Sequence, residues 1–150
     1  MIERVRAVLV TPRDELLFIR RERPDAPIYW VASGGHVEPT DASHEDALRR
    51  EVREELAGTP DVAKLIQVIE GATDRQYIYL ARIEDWSFPD RSGPELTQVG
   101  RGVYALDAIP MTTAALAGIT LKPDALAAFL SAALAELPSL CALPDLRLPS

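Results

Sequence analysis

Thiol chemistry is almost missing from this chain: Cys141 is its single cysteine. An intrachain disulfide is therefore excluded, and a lone Cys among LCALP reads as a small buried apolar residue with a structural role. Histidine is nearly as scarce. His36 and His44 stand alone, neither has a partner at zinc-ligand spacing, and each reads as a loop or cap residue. No apolar run approaches the roughly 20 residues that cross a bilayer. The N-terminal MIERVRAVLVTPRDE also lacks the basic, apolar, small-residue order of a signal peptide. The expected location is the cytoplasm, with no membrane partner. Positive charge is in the minority, with 16 Lys and Arg against 23 Asp and Glu and a net charge of −7. Such a balance argues against a nucleic-acid polymer as partner. A small anionic ligand would need local help, from a cation held by carboxylates or from basic side chains grouped against the overall sign. There is no internal repeat and no low-complexity tract beyond an alanine bias near the C-terminus.

What is present suits one globular domain over residues 1–150, with 47% hydrophobic and 26% charged residues and length enough for a core. In VRAVLV, Val5, Ala7 and Leu9 alternate with Arg6, Val8 and Val10, as in a strand. After the turn TPRDE, ELLFIRRER alternates again and completes a hairpin. PDAP breaks it, and IYWVAS is a third strand that ends on a tight turn at Gly34 and Gly35. Ser43 is the expected N-cap of a helix through HEDALRREVREELA, with Asp46 returning the interaction. VAKLIQVIEG, RQYIYLARI and RGVYAL read as further strands. The long connection EDWSFPDRSGPELTQVG has no periodic pattern, and loops of that length tend to be functional or disordered. Leu126, Phe129, Leu130 and Leu134 give KPDALAAFLSAALAEL one apolar helical face. The tail over 137–150 has too many prolines for a helix and is expected to drape over the surface. The order of elements predicts an α/β fold, a mixed β-sheet flanked by helices.

The central helix is unusual in its carboxylates. At about 100° per residue, Glu51, Glu54 and Glu55 share one side, next to an apolar stripe of Leu48, Val52 and Leu56. Like charges so close cost stability unless something positive sits among them. Arg49, Arg50 and Arg53 supply one answer, a solvated face of ordinary ion pairs. A divalent metal supplies the other, because carboxylates are hard ligands and Mg2+ takes a few of them alongside water and phosphate oxygens.

What precedes the helix bears on that choice. SGGHVEP, a short acidic connector and ALRREVREELAG together closely resemble the Nudix box of the MutT-like Nudix hydrolases. That pattern runs Gly, five residues, Glu, seven residues, Arg-Glu, a hydrophobic residue, any residue, Glu-Glu, any residue, Gly, hydrophobic. Gly35 opens it here, and Arg50, Glu51, Val52, Glu54 and Glu55 follow in order. There are two departures. The loop Glu is represented by Asp41, with one residue inserted before Arg50, and the closing Gly is Ala57, with Gly58 one place late. In the family the loop carboxylate orders the loop through the box Arg, so the insertion raises the question of whether Asp41 reaches Arg50. Ser33 also stands where the family strand has Pro. The resemblance covers residues 2 to 135, but only Gly34 to Gly58 is specific.

The resemblance implies a Nudix α/β/α sandwich and a metal-dependent pyrophosphohydrolase that cleaves a nucleoside diphosphate linked to another moiety, with Mg2+ or Mn2+ as cofactor. It implies Glu54 and Glu55 as the principal metal ligands, Glu51 as a further ligand or a base for water, and Gly35 as the donor of a backbone carbonyl. An additional Glu from a loop outside the box is expected to serve as base or ligand; Glu95 is best placed by order, with Glu84 and Asp85 as competitors. For the substrate, Arg20, Arg21 and Arg23 are candidates to grip phosphates. Tyr29, Trp30 and Trp86 are candidate stacking platforms, although Tyr29 and Trp30 must point to opposite faces. The partner is a small nucleotide. NTP, nucleotide sugar, ADP-ribose and dinucleoside polyphosphate are not distinguished, and a homodimer is an arrangement open to small domains of this type. The alternatives are a catalytically weak Nudix-like module that binds or senses a nucleotide, and an interaction domain whose acidic helix is a solvated face.

Overall fold

The first hairpin forms as β1 (Ile2–Val10) and β2 (Glu15–Arg23), but its strands pair only beside the turn, at Leu9 with Leu17 and Val10 with Leu16. Beyond that point they diverge, and the next stretch of chain fills the wedge between them. β3 (Ala26–Val31) runs antiparallel to β2, and β4 (Ser33–His36) runs antiparallel to β1. One almost continuous extended segment therefore changes partner at Ala32. This corrects the expected turn: Gly34 and Gly35 lie inside a strand, opposite Arg6 and Val5. A side chain at Gly34, where φ is 155°, would run into the carbonyl of Val5, so the backbones approach there as only glycine permits. The computed structural model describes residues 1–90 and 102–148.

The remaining elements extend the sheet and cover it. α1 (His44–Leu56) leads to β5 (Pro60–Glu70) and β6 (Asp74–Ile83), an antiparallel pair whose second strand lies parallel to β1. A 3-10 turn spans Phe88–Asp90, and β7 (Val103–Pro110) pairs with β2 along its outer edge. α2 (Thr113–Ala117), β8 (Leu121–Lys122) and α3 (Asp124–Glu136) follow. β8 was not expected, since a two-residue strand leaves no periodic signal; it runs parallel to β3. The path of the sheet is β5-β6-β1-β2-β3-β8, with β4 on β1 and β7 on β2.

Each face of the mixed sheet buries its own core, giving an α/β/α sandwich. On one side Ala47, Leu48, Val52 and Leu56 of α1 pack on Val5, Ala7, Leu9, Leu17 and Ile19. On the other, Leu126, Leu130 and Ala133 of α3 and Leu116 of α2 cover Val8, Val10, Leu16 and Phe18. Burying each large aliphatic side chain contributes about 1.5–3 kcal/mol, so the two stripes hold the helices in place.

The tail follows the surface, as its prolines suggest, but it is anchored. Leu140 and Leu143 are buried in the α3-side core, while Cys141 between them is exposed. Cys141 is thus not the buried residue expected, because the tight turn at Leu140–Ala142 sends its two leucines inward and the thiol outward. Further on, Leu146 N–H donates to the carbonyl of Leu65 at 2.8 Å, and Leu65 N–H donates to Asp145 at 3.1 Å. No helix among the described residues is long and apolar enough to cross a membrane.

Candidate active site

α1 starts where Ser43 caps it, its hydroxyl accepting from Asp46 N–H at 3.1 Å. Asp46 does not complete a capping box, since its carboxylate pairs with Arg49 at 3.0 Å. The apolar stripe then fixes the rotation of the helix, and that rotation turns Glu51, Glu54 and Glu55 toward β4. Glu51 is buried at 8% exposure, and a side chain at Gly35 would press within 2.7 Å of its carboxylate. Glu55 accepts from Gly34 N–H at 2.7 Å and from the Ser33 hydroxyl at 2.8 Å. Ser33 thus supplies a donor to a site glutamate, which a proline in its place would lack.

Arg50 organises the loop before the helix. Its Nε and Nη2 donate to the two oxygens of Asp41 at 3.0 and 2.9 Å, and Nη2 also reaches the carbonyl of His36 at 3.0 Å. Asp41 in turn accepts from Glu38 N–H at 2.8 Å. The inserted residue therefore does not break the contact; the loop absorbs it. Hydrogen bonding to Arg50 holds the Asp41 carboxyl below its usual range, and the same bonds raise the affinity of Arg50 for its proton. Arg50 Nη1 also lies 3.1 Å from Glu51 and 3.5 Å from Glu54, which offsets their mutual repulsion.

A basic residue that the sequence reading passed over sits nearby. Arg6 of β1 donates from Nη1 to the Ala32 carbonyl at 3.2 Å, at the point where the extended segment changes partner. Loss of solvation lowers its proton affinity, and the charges of Glu55 and Glu51 act to restore it. Burial likewise pushes the Glu55 carboxyl up to about 7, against the hydrogen bonds from Ser33 and Gly34. The signal in the sequence was the alternation of Arg4 and Arg6 in a strand whose other residues are mostly apolar.

These groups face a cavity of about 690 Å³ lined by Glu51, Glu54, Glu55, Arg4, Arg6 and Arg50 and, on its far wall, by Arg21, Tyr29 and Tyr104. The expected substrate residues divide here. Arg21 lines the cavity, whereas Arg20 and Trp30 are on the opposite face of the sheet, both bonded to Asp107 at 2.9 and 2.8 Å. Arg23 is exposed at the end of β2. Trp86 packs against the α1-side core, and Glu84 borders a different depression with Thr11 and Pro12. Glu95 lies outside the described residues. A second cavity of about 660 Å³, near the end of α3, is walled by Val10, Met111, Leu134 and Leu137 beside Arg13, Asp14, Glu15 and Arg82, with no comparable set of glutamates.

The donor chemistry of the first cavity fits a hard divalent cation. Three carboxylates stand beside a glycine whose missing side chain leaves room next to Glu51, and oxygen donors are what Mg2+ and Mn2+ prefer. Among the described residues, however, the carboxylates are not gathered on one point. Glu51 and Glu54 hold Arg50 between them, while Glu55 turns to Ser33 and Gly34.

The NUDIX domain family model matches residues 1–118. The chain belongs to the Nudix domain family. The wedge between β1 and β2, the extended segment that fills it and the glutamate helix are thus a Nudix domain, and the chain is a hydrolase acting on pyrophosphate bonds. The E. coli ORF135 protein, known from a solution structure, is 26% identical at a TM-score of 0.59, with 93% of this chain and 95% of that one covered. An ADP-ribose pyrophosphatase from Streptococcus suis is similar in fold at 18% identity and a TM-score of 0.62, with 92% and 94% covered. A MutT protein from Methanosarcina mazei Go1 shares 19% identity at a TM-score of 0.56, with 87% and 91% covered. No curated protein matches the sequence.

Proposed function

We propose that this Nudix domain is a metal-dependent pyrophosphohydrolase that cleaves a nucleoside diphosphate linked to another moiety. The observation that supports the reading is the placement of Glu51, Glu54 and Glu55 against Gly34 and Gly35 in one cavity that also holds Arg4 and Arg6. In this reading Glu54 and Glu55 are the principal ligands of Mg2+ or Mn2+, Glu51 is a further ligand or the base for water, and the Gly35 carbonyl is an additional donor. When bound, the ion orients the diphosphate, draws charge from the phosphorus under attack and lowers the pKa of the attacking water. Arg50 positions the loop and keeps Glu51 and Glu54 near each other. Arg6, held to the Ala32 carbonyl, gives the phosphates a fixed positive charge. Glu95 is assigned as a second base by its order in the chain. The neighbour named as an ADP-ribose pyrophosphatase makes small nucleotides the class to test first.

The test is a product assay on triphosphates, sugar nucleotides, ADP-ribose and dinucleoside polyphosphates, each with Mg2+, with Mn2+ and with chelator. Metal-dependent release of a nucleoside monophosphate is the expected result. Binding of nucleotide without turnover anywhere in the panel would replace this reading by a sensing module. Glu54→Gln and Glu55→Gln should each abolish turnover and weaken Mn2+ binding measured at equilibrium, with the protein still folded, since each removes repulsion between like charges. Full activity in both variants would refute the ligand assignment.

A further inference from the structure

Arg21 stands in the middle of a row. Its Cα partners are Tyr29 on β3 and Tyr104 on β7, so the three side chains share one face of the sheet. The next row on that face, Val31, Ile19 and Leu106, is apolar. The guanidinium lies 4.0 Å over the Tyr104 ring and 5.8 Å from the Tyr29 ring. Its Nε and Nη2, although buried, meet no hydrogen-bond acceptor among the described residues. The other arginines lining the cavity are engaged: Arg4 with Asp74, Arg6 with the Ala32 carbonyl and Arg50 with Asp41.

Nε–H and the neighbouring Nη2–H project from the same edge of a guanidinium as a rigid fork, the pair that Arg50 already uses to hold Asp41. A fork of two charged donors left unsatisfied is costly, and it takes two acceptors side by side. A phosphate would satisfy it but gains nothing from two tyrosine rings and an apolar floor, whereas the flat face of a nucleobase does. Only some bases offer paired acceptors on one edge. Guanine presents O6 with N7, and cytosine presents O2 with N3. Adenine sets its N6 amino donor beside N7, and uracil interposes N3–H between its two carbonyls.

We propose that Arg21, framed by Tyr29 and Tyr104, reads the base of the substrate and selects guanine or cytosine over adenine and uracil. The proposal rests on the reading of the cavity as a nucleotide site, and it makes Arg21 a specificity residue, separate from the phosphate grip expected of the arginine run.

The experiment compares GTP, CTP, ATP and UTP on the wild type, Arg21→Lys and Arg21→Gln, with titrations of the four monophosphates under chelator. The wild type should favour guanine or cytosine by about tenfold to a hundredfold in kcat/KM, the discrimination of a good bidentate pair. Both variants should bring that ratio close to one; Arg21→Lys keeps the charge but not the fork, and thermal melting checks that each is folded. Should guanine be preferred, 7-deaza-GTP must lose the advantage. An equal fall for all four bases, an undiminished preference in the variants, or an unaffected 7-deaza substrate would overturn the proposal. Base preference in the titrations without turnover of any of the four triphosphates would leave the fork standing and remove a nucleoside triphosphate as the substrate. Turnover without base preference would do the reverse.

Discussion

Glu55 shows how one residue can carry a cost that the rest of the site is built around. Burial raises its carboxyl to about 7, from an ordinary 4.5, so the folded chain binds this proton more tightly than the unfolded chain does. Stability falls with pH wherever the folded state holds more protons. The contribution of Glu55 is therefore most favourable below about 4.5 and is lost as pH rises through about 7. In chelator, the melting temperature of the wild type should drop over that interval more than that of Glu55→Gln, whose amide does not titrate. Equal slopes in the two proteins would show that Glu55 is not the group responsible. A divalent ion that binds only the folded chain should recover the loss above pH 7. Glu51, Glu54 and Glu55 were legible from helical spacing, and Arg50 from its place in the box. The partners of Glu55 were not, because Ser33 and Gly34 reach it from a strand whose register is decided by contacts distant in sequence.

At the scale of elements, the end of α1 departs from the box in a way the backbone explains. The left-handed position that closes the helix falls on Ala57, at φ 51° and ψ 38°, where the pattern places its glycine. An alanine held there costs roughly 1–2 kcal/mol relative to the usual helical region, and glycine escapes most of that. Ala57→Gly should raise the unfolding free energy by up to about 1 kcal/mol, after allowance for the looser unfolded chain. Gly58→Ala should lower it, since the added Cβ would lie 2.7 Å from Ile83 and 2.8 Å from the Asp85 carbonyl. Urea unfolding of both variants checks the pair, and a destabilised Ala57→Gly would refute the strain. The strands, α1 and α3 were readable because period-2 and period-3.6 patterns are local. The change of partner at Ala32 was not, because it depends on β1 and β2 diverging. Nor was β8, because two residues carry no pattern.

For the whole molecule, the two cores are tied together by the tail. After Leu140 and Leu143 enter the α3-side core, the chain crosses to the α1 layer, where Arg147 bonds the Ala63 carbonyl at 2.7 Å and Glu45 at 3.4 Å. Leu140→Ala should cost about 2–5 kcal/mol, the usual range for a buried leucine. Arg147→Ala should cost about 1 kcal/mol, as expected for exchanging internal hydrogen bonds for water. Chemical denaturation measures both, and a Leu140→Ala as stable as wild type would show that the tail is not part of the core.

The tail also bears on how copies of this protein meet. A bare strand edge is a template for any other extended chain, and folded proteins gain by blocking it. On β5 the blocking is internal: the N–H and carbonyl of Leu65 are occupied by Asp145 and Leu146, and Lys64 holds the carbonyls of Cys141 and Leu143. Two copies cannot zip together through this stretch while the tail lies in place. A dimer must use another edge or side-chain surfaces, and a chain shortened before Asp145 would present a sticky border that residues 145–147 keep closed.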